Sequence, residues 1–77
     1  MSPEQARRLV AENVSEIAKQ QGMSVNKLAD FAGVNRPHLT RFLQGKADVT
    51  VGWLAQVAEA LDVELATLFG PRDSSTT

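Results

Sequence analysis

Arg36, Pro37, Thr40, Arg41 and Gln44 fall at helical steps, Arg36–Thr40–Gln44 and Pro37–Arg41 being four apart, while Leu39, Phe42 and Leu43 take positions between them. The stretch therefore reads as a short helix with an apolar side and an outward, donor-rich side. Each guanidinium on the outward side is a planar, two-pronged donor that matches the O6 and N7 acceptors of a guanine edge. Pro37 costs little in a first helical turn and gives a rigid apolar surface suited to a thymine methyl. A helix with a purely structural role would more usually expose glutamate and lysine at these places. Reaction chemistry finds no comparable foothold. The chain has no cysteine, and its single histidine, His38, lacks nucleophile or metal-ligand companions. A phosphate-cradling glycine loop and a paired-carboxylate cleft are both missing, so no catalytic residue, metal or cofactor is expected.

Charge supports a polyanionic partner once its distribution is considered. The formal net charge is −1, yet residues 24–46 carry Lys27, Arg36, Arg41 and Lys46 against Asp30 alone. Residues 47–77 carry Asp48, Glu59, Asp62, Glu64 and Asp73 against Arg72. Local sign governs attraction to phosphates more than the total does.

The elements that must hold this face in place are all helical. Ser2-Pro3-Glu4-Gln5 is a start signal, with Ser2 as cap, Pro3 in the first turn and Gln5 able to complete a capping box. Leu9, Val10, Val14, Ile17 and Ala18 then form one apolar face, and Gly22 ends the helix. Ser24 caps a second helix of about 24–32 with Leu28, Ala29 and Ala32 inside, Phe31 at the core edge and Gly33 as its stop. Asn35 caps a third, about 35–44, which Gly45 stops, and Thr50 caps a fourth carrying Val51, Leu54, Val57, Ala58 and Leu61. A short fifth helix from about Glu64 to Phe69 closes the fold before Gly70-Pro71. The expectation is an all-α, compact five-helix domain over residues 1–70, with 71–77 a disordered tail. A composition of 43% hydrophobic and 22% charged residues is that of a globular chain. No apolar run approaches the ~18 residues of a membrane span and no leader pattern opens the chain, so a cytoplasmic protein is expected.

Two short helices joined by Gly33-Val34-Asn35 have the anatomy of a helix-turn-helix, here spanning about 24–44. In that motif the second helix enters the DNA major groove. Arg36, Pro37, Thr40 and Arg41 are then the candidates for reading bases. Ser24, Val25, Asn26 and Lys27 open the second helix, whose free N–H groups and positive dipole end can meet a phosphate. With Asn35, His38 and Lys46 they are the candidates for holding the DNA backbone, which orients without reading sequence.

The stretches Met23-Ser24-Val25-Asn26-Lys27-Leu28-Ala29 and Gly33-Val34-Asn35-Arg36-Pro37-His38-Leu39-Thr40-Arg41-Phe42-Leu43-Gln44-Gly45-Lys46 resemble the Cro and phage-repressor (Cro/C1, XRE-like) helix-turn-helix family. The run Leu54 to Val63, followed by Leu65 and Leu68, is similar to that family's fourth and fifth helices. The resemblance covers roughly residues 10–69 and implies a phage-repressor-like five-helix fold, sequence-specific binding of double-stranded DNA, and dimerisation on an inverted repeat. Two places depart from the pattern. Val25 stands where members often carry a glutamine that touches the DNA backbone, leaving only the main-chain N–H there. Ala18 and Leu43 stand where many members pair an arginine with a glutamate; both partners are replaced together, which strands no charge.

Trp53, at the start of the fourth helix, is expected toward the rim, either as peripheral core or as a dimer contact. Leu65, Leu68 and Phe69 form an apolar end that one small domain would leave partly uncovered, and they join Trp53 as candidate dimer residues. Within 77 residues no ligand-sensing domain is expected, so control would come from concentration, dimerisation or a partner. The leading reading is a transcription regulator, a repressor or autoregulator; small proteins that resemble it include phage repressors, restriction-modification controllers and antitoxins. The competing reading is a protein-interaction module, antitoxin-like or a detached domain, whose acidic C-terminal third and Trp53 bind a protein.

Overall fold

The computed structural model describes residues 1–70; the tail expected over 71–77 lies outside the described residues. Four helices, α1 (Pro3–Gln20), α2 (Val25–Ala32), α3 (Arg36–Leu43) and α4 (Val51–Ala60), are followed by a single 3-10 turn, Leu65–Phe69. The described residues include no strand, as the 3.6-residue periodicity predicts. The expected fifth helix is corrected to this 3-10 turn. Glu64 gives it no side-chain cap, and five residues cannot complete more than a nucleus of hydrogen bonds.

Every helix starts where a side-chain oxygen replaces a missing carbonyl. Ser2, Ser24, Asn35 and Thr50 accept from the N–H groups of Gln5, Lys27, His38 and Trp53, and Ser2 with Gln5 forms the reciprocal capping box. Every helix also ends the same way. A residue in the left-handed region (Gly22, Gly33, Gly45 and Asp62) lets the next N–H turn back five residues. Met23, Val34, Lys46 and Val63 thus donate to the carbonyls of Ala18, Ala29, Arg41 and Ala58, at 2.8, 3.1, 3.0 and 3.0 Å. Asp62, at φ 60°, is the stop that the sequence reading did not assign; aspartate is one of the few non-glycine residues that visit this region readily.

The core forms where the apolar stripes meet. Val14, Leu28, Leu39, Phe42, Val57, Leu61 and Leu68 are each at most 1% exposed, and Ile17, Met23, Val34, Leu43 and Trp53 pack around them. α2 lies against α4 and α3, while α1 backs α3 and the 3-10 turn. Two expectations fail here. Phe31 is 63% exposed rather than at the core edge. At 100° per residue it stands roughly 100° from the centre of the side defined by Leu28, Ala29 and Ala32. Leu68 is fully buried and is withdrawn as a dimer-interface residue. In a 3-10 turn residues three apart eclipse, so Leu65 and Leu68 both turn inward and Phe69 turns out.

One buried polar residue ties α1 to the 3-10 turn. Asn13 lies on the inner side of α1, and its Nδ2 donates to the carbonyls of Leu68 and Gly70, both at 2.8 Å. The 3-10 turn makes few hydrogen bonds of its own, and these two anchor it. Replacing Asn13 by alanine should strand a buried carbonyl and cost about 2 kcal/mol in a denaturant-unfolding experiment. Phe31→Ala should stay within about 0.5 kcal/mol of the parent.

Candidate nucleic-acid interface

Gly33, Val34 and Asn35 set α3 against α2. Gly33 at φ 69° reverses the chain, Val34 tucks half-buried against the core, and Asn35 begins α3 by capping His38. α3 is then pinned from within by Leu39 and Phe42. Its other side, Arg36, Pro37, Thr40, Arg41 and Gln44, is exposed to solvent as expected.

The candidate backbone-holding residues cluster around this exposed side by sequence, and their states differ. Ser24 and Asn35 spend their side-chain oxygens on the caps of α2 and α3. Val25 and Asn26, the first residues of α2, have N–H groups with no carbonyl one turn before them to receive them. Lys27, Arg36, Arg41 and Lys46 are exposed. The ion pairs among the described residues are Arg7–Asp48 and Arg8–Glu4, so none of these four cations is neutralised by one. Lys46 also breaks a pattern. At the other three helix ends the residue after the left-handed one is apolar and packs on the core, whereas here an exposed lysine follows Gly45. His38 is half-buried, and its ring stands edge-to-face on Trp53 at 5.2 Å, with Trp53 in turn edge-to-face on Phe42 at 5.1 Å. The indole therefore buttresses α3 from α4, in agreement with the peripheral-core reading of Trp53.

Sequence reasoning missed one contact in this region. Arg36 Nη1 donates to Asn26 Oδ1 at 2.8 Å, joining the first turn of α3 to the first turn of α2. Nothing in local periodicity marks such a pair, because its members sit on different helices.

At the place of the departure from the family pattern, Ala18 is buried and Leu43 half-buried. With Ser15, Lys19, Met23, Ser24, Val25 and Leu28 they line an open depression of about 240 Å³. The two apolar residues keep the helices in contact without filling the space between them.

Comparison with known proteins gives a consistent answer. The family of Cro/C1-type HTH DNA-binding domains matches residues 13–74. The HTH-type transcriptional regulator SutR of Escherichia coli is 28% identical over 69 residues, which is 90% of this chain and 39% of SutR. The restriction-modification controller protein C.AhdI of Aeromonas hydrophila superposes with a TM-score of 0.79 at 25% identity, over 82% of this chain and 96% of that one. An HTH_3 family transcriptional regulator from Vibrio cholerae superposes with a TM-score of 0.84 at 20% identity, over 88% of this chain and 38% of that one. The chain thus spans about two fifths of the length of SutR and of the Vibrio protein.

The turn supplies a direct test of this architecture. A Cβ built on Gly33 meets nothing within 4 Å, so only the left-handed backbone resists substitution. Gly33→Ala should lower stability by roughly 1–2 kcal/mol in thermal unfolding, and Gly33→Asn by less, with helical circular dichroism unchanged in both.

Proposed function

The chain belongs to the Cro/C1-type HTH DNA-binding family, and from that premise we propose that it is a sequence-specific transcription regulator. It acts in the cytoplasm as a repressor or autoregulator, binding an inverted-repeat operator as a homodimer. The observation that carries this reading is the solvent-exposed side of α3, where Arg36 and Arg41 stand without carboxylate partners. Arg36 is held by the neutral amide of Asn26, and neither guanidinium is paired with a carboxylate; two such charges on one short, internally pinned helix suit a rigid, groove-shaped partner. In this reading Arg36, Pro37, Thr40 and Arg41 meet base edges in the major groove. Lys27 and Lys46, the main-chain N–H groups of Val25 and Asn26, and the polar edges of Ser24, Asn35 and His38 meet phosphates.

Dimerisation is supported by what the single domain leaves uncovered. Phe69 is 48% exposed, and Leu65 and Trp53 are half-buried. Two copies related by a two-fold axis would place their α3 helices one DNA turn apart, about 34 Å.

Selection of tight binders from random duplex DNA tests the reading, with a two-fold symmetric motif containing guanine in each half-site as the expected outcome. On that motif, Arg36→Ala should weaken binding by about 1–3 kcal/mol and flatten the preference at one base pair. Lys46→Ala should weaken specific and random duplexes alike and lower the salt dependence by about one counterion. Absence of any enriched sequence at low salt would turn attention to a protein partner for the acidic end.

A further inference from the structure

Arg36 is the first residue of α3, and a side chain there has no preceding helical turn to lean on. An unsupported arginine loses about 2 kcal/mol of rotamer entropy when it is fixed, which would erode any gain from reading a base. The structure supplies the support from the neighbouring helix. Asn26 Oδ1 accepts a hydrogen bond from Arg36 Nη1 at 2.8 Å. Both residues, with Ala29, Asp30, Val34 and Pro37, line an open polar hollow of about 400 Å³ between α2 and α3.

We infer that the side chain of Asn26 is a specificity-determining positioning group, one that orients the Arg36 guanidinium for a base and, unlike the main-chain N–H of the same residue, does not meet a phosphate. The inference rests on the DNA-reading function proposed above and names a residue through which it works. Two features of the geometry carry it. A guanidinium has five N–H donors; with one on Nη1 given to Asn26, the Nε–Nη2 edge stays whole and can take both acceptors of a guanine. The partner is also a neutral amide. Asp30 lies one turn further along α2 in the same hollow, yet Arg36 forms no ion pair with it. Pairing with a carboxylate would hold the side chain and cancel its charge beside the phosphates. Pairing with Asn26 holds it and leaves the charge intact.

Two substitutions separate orientation from charge. Using the full chain and the motif selected by the parent protein, Asn26→Ala should reduce discrimination at the base pair that Arg36→Ala flattens by roughly three- to tenfold. Affinity for random duplex and the salt dependence should stay unchanged. In an Arg36→Ala background the same substitution should have no further effect on that base pair. Asn26→Asp should keep the base preference and weaken all duplexes together, because the added carboxylate repels phosphates. Uniform weakening by Asn26→Ala, with a shallower salt dependence, would overturn the inference and make Asn26 a backbone contact; so would unchanged discrimination. Failure of the parent protein to select any motif would overturn the DNA-reading function, and this inference with it, while a selected motif with an indifferent Asn26 would overturn the inference alone.

Discussion

Gly33 at φ 69° lets the N–H of Val34 turn back onto the Ala29 carbonyl at 3.1 Å, and the direction of α3 relative to α2 follows from that hydrogen bond. Only Val34 and Asn35 then remain before α3 begins. Val34 uses its position to bury its side chain and Asn35 to cap the next helix, so no residue in the link is idle. An eight-residue helix such as α2 or α3 is too short to persist alone in water. Each is held by caps at both ends and by Leu28, Leu39 and Phe42 sunk into a shared core. The outward side of α3 can therefore be given over to side chains that the core does not need.

The same device repeats at all four helix ends, and the exceptions are informative. Met23, Val34 and Val63 follow their left-handed residues into the core, so that each helix end is also a packing anchor. Lys46 follows Gly45 into solvent. At that end the anchoring is passed to half-buried Ala47 and Val49 and to the Arg7–Asp48 pair at 2.8 Å, which joins α1 to the loop after α3. An exposed pair of this kind stabilises by no more than about 1 kcal/mol. Its use is local, in keeping the Asp48 carboxylate turned to Arg7 and away from the cations of α3. A fold that breaks its own rule at one place, and there presents an ammonium group, gives up a packing anchor at the end of the helix whose outward side carries Arg36 and Arg41.

Much of this was legible in the sequence because it is local. Ser2, Ser24, Asn35 and Thr50 act within three residues of themselves, and Gly22, Gly33 and Gly45 need only their own torsions, so types and spacing suffice to place them. The misses are of another kind. Asn13 meets Leu68 across 55 residues and Arg36 meets Asn26 across a change of helix, and no periodicity encodes either meeting. An α-helical reading puts Leu68 and Phe69 on a shared arc as one apolar end; the tighter 3-10 turn splits them, one into the core and one to solvent. Phe31 shows that an aromatic residue does not bury itself when the helix that carries it is turned by smaller neighbours, Ala29 and Ala32. Asp62 at φ 60° is not marked as a stop by its type, because aspartate enters the left-handed region less regularly than glycine does.

Charge separation along α4 gives the domain a direction. Trp53 in its first turn touches His38 of α3, so this end of α4 lies beside the basic surface. Glu59 is six residues further on, about 9 Å along the axis at 1.5 Å per residue, and Asp62 and Glu64 follow beyond the end of the helix. All three carboxylates are exposed. Near a polyanion the acidic end is repelled and the basic surface is drawn in. The small net charge therefore does not weaken the attraction of the right surface; it removes attraction from the wrong ones. A uniformly basic domain would bind DNA on any side and leave α3 facing the groove only part of the time. In the DNA-reading function proposed above, the same interaction that brings the domain to DNA would also turn it, before any base is read.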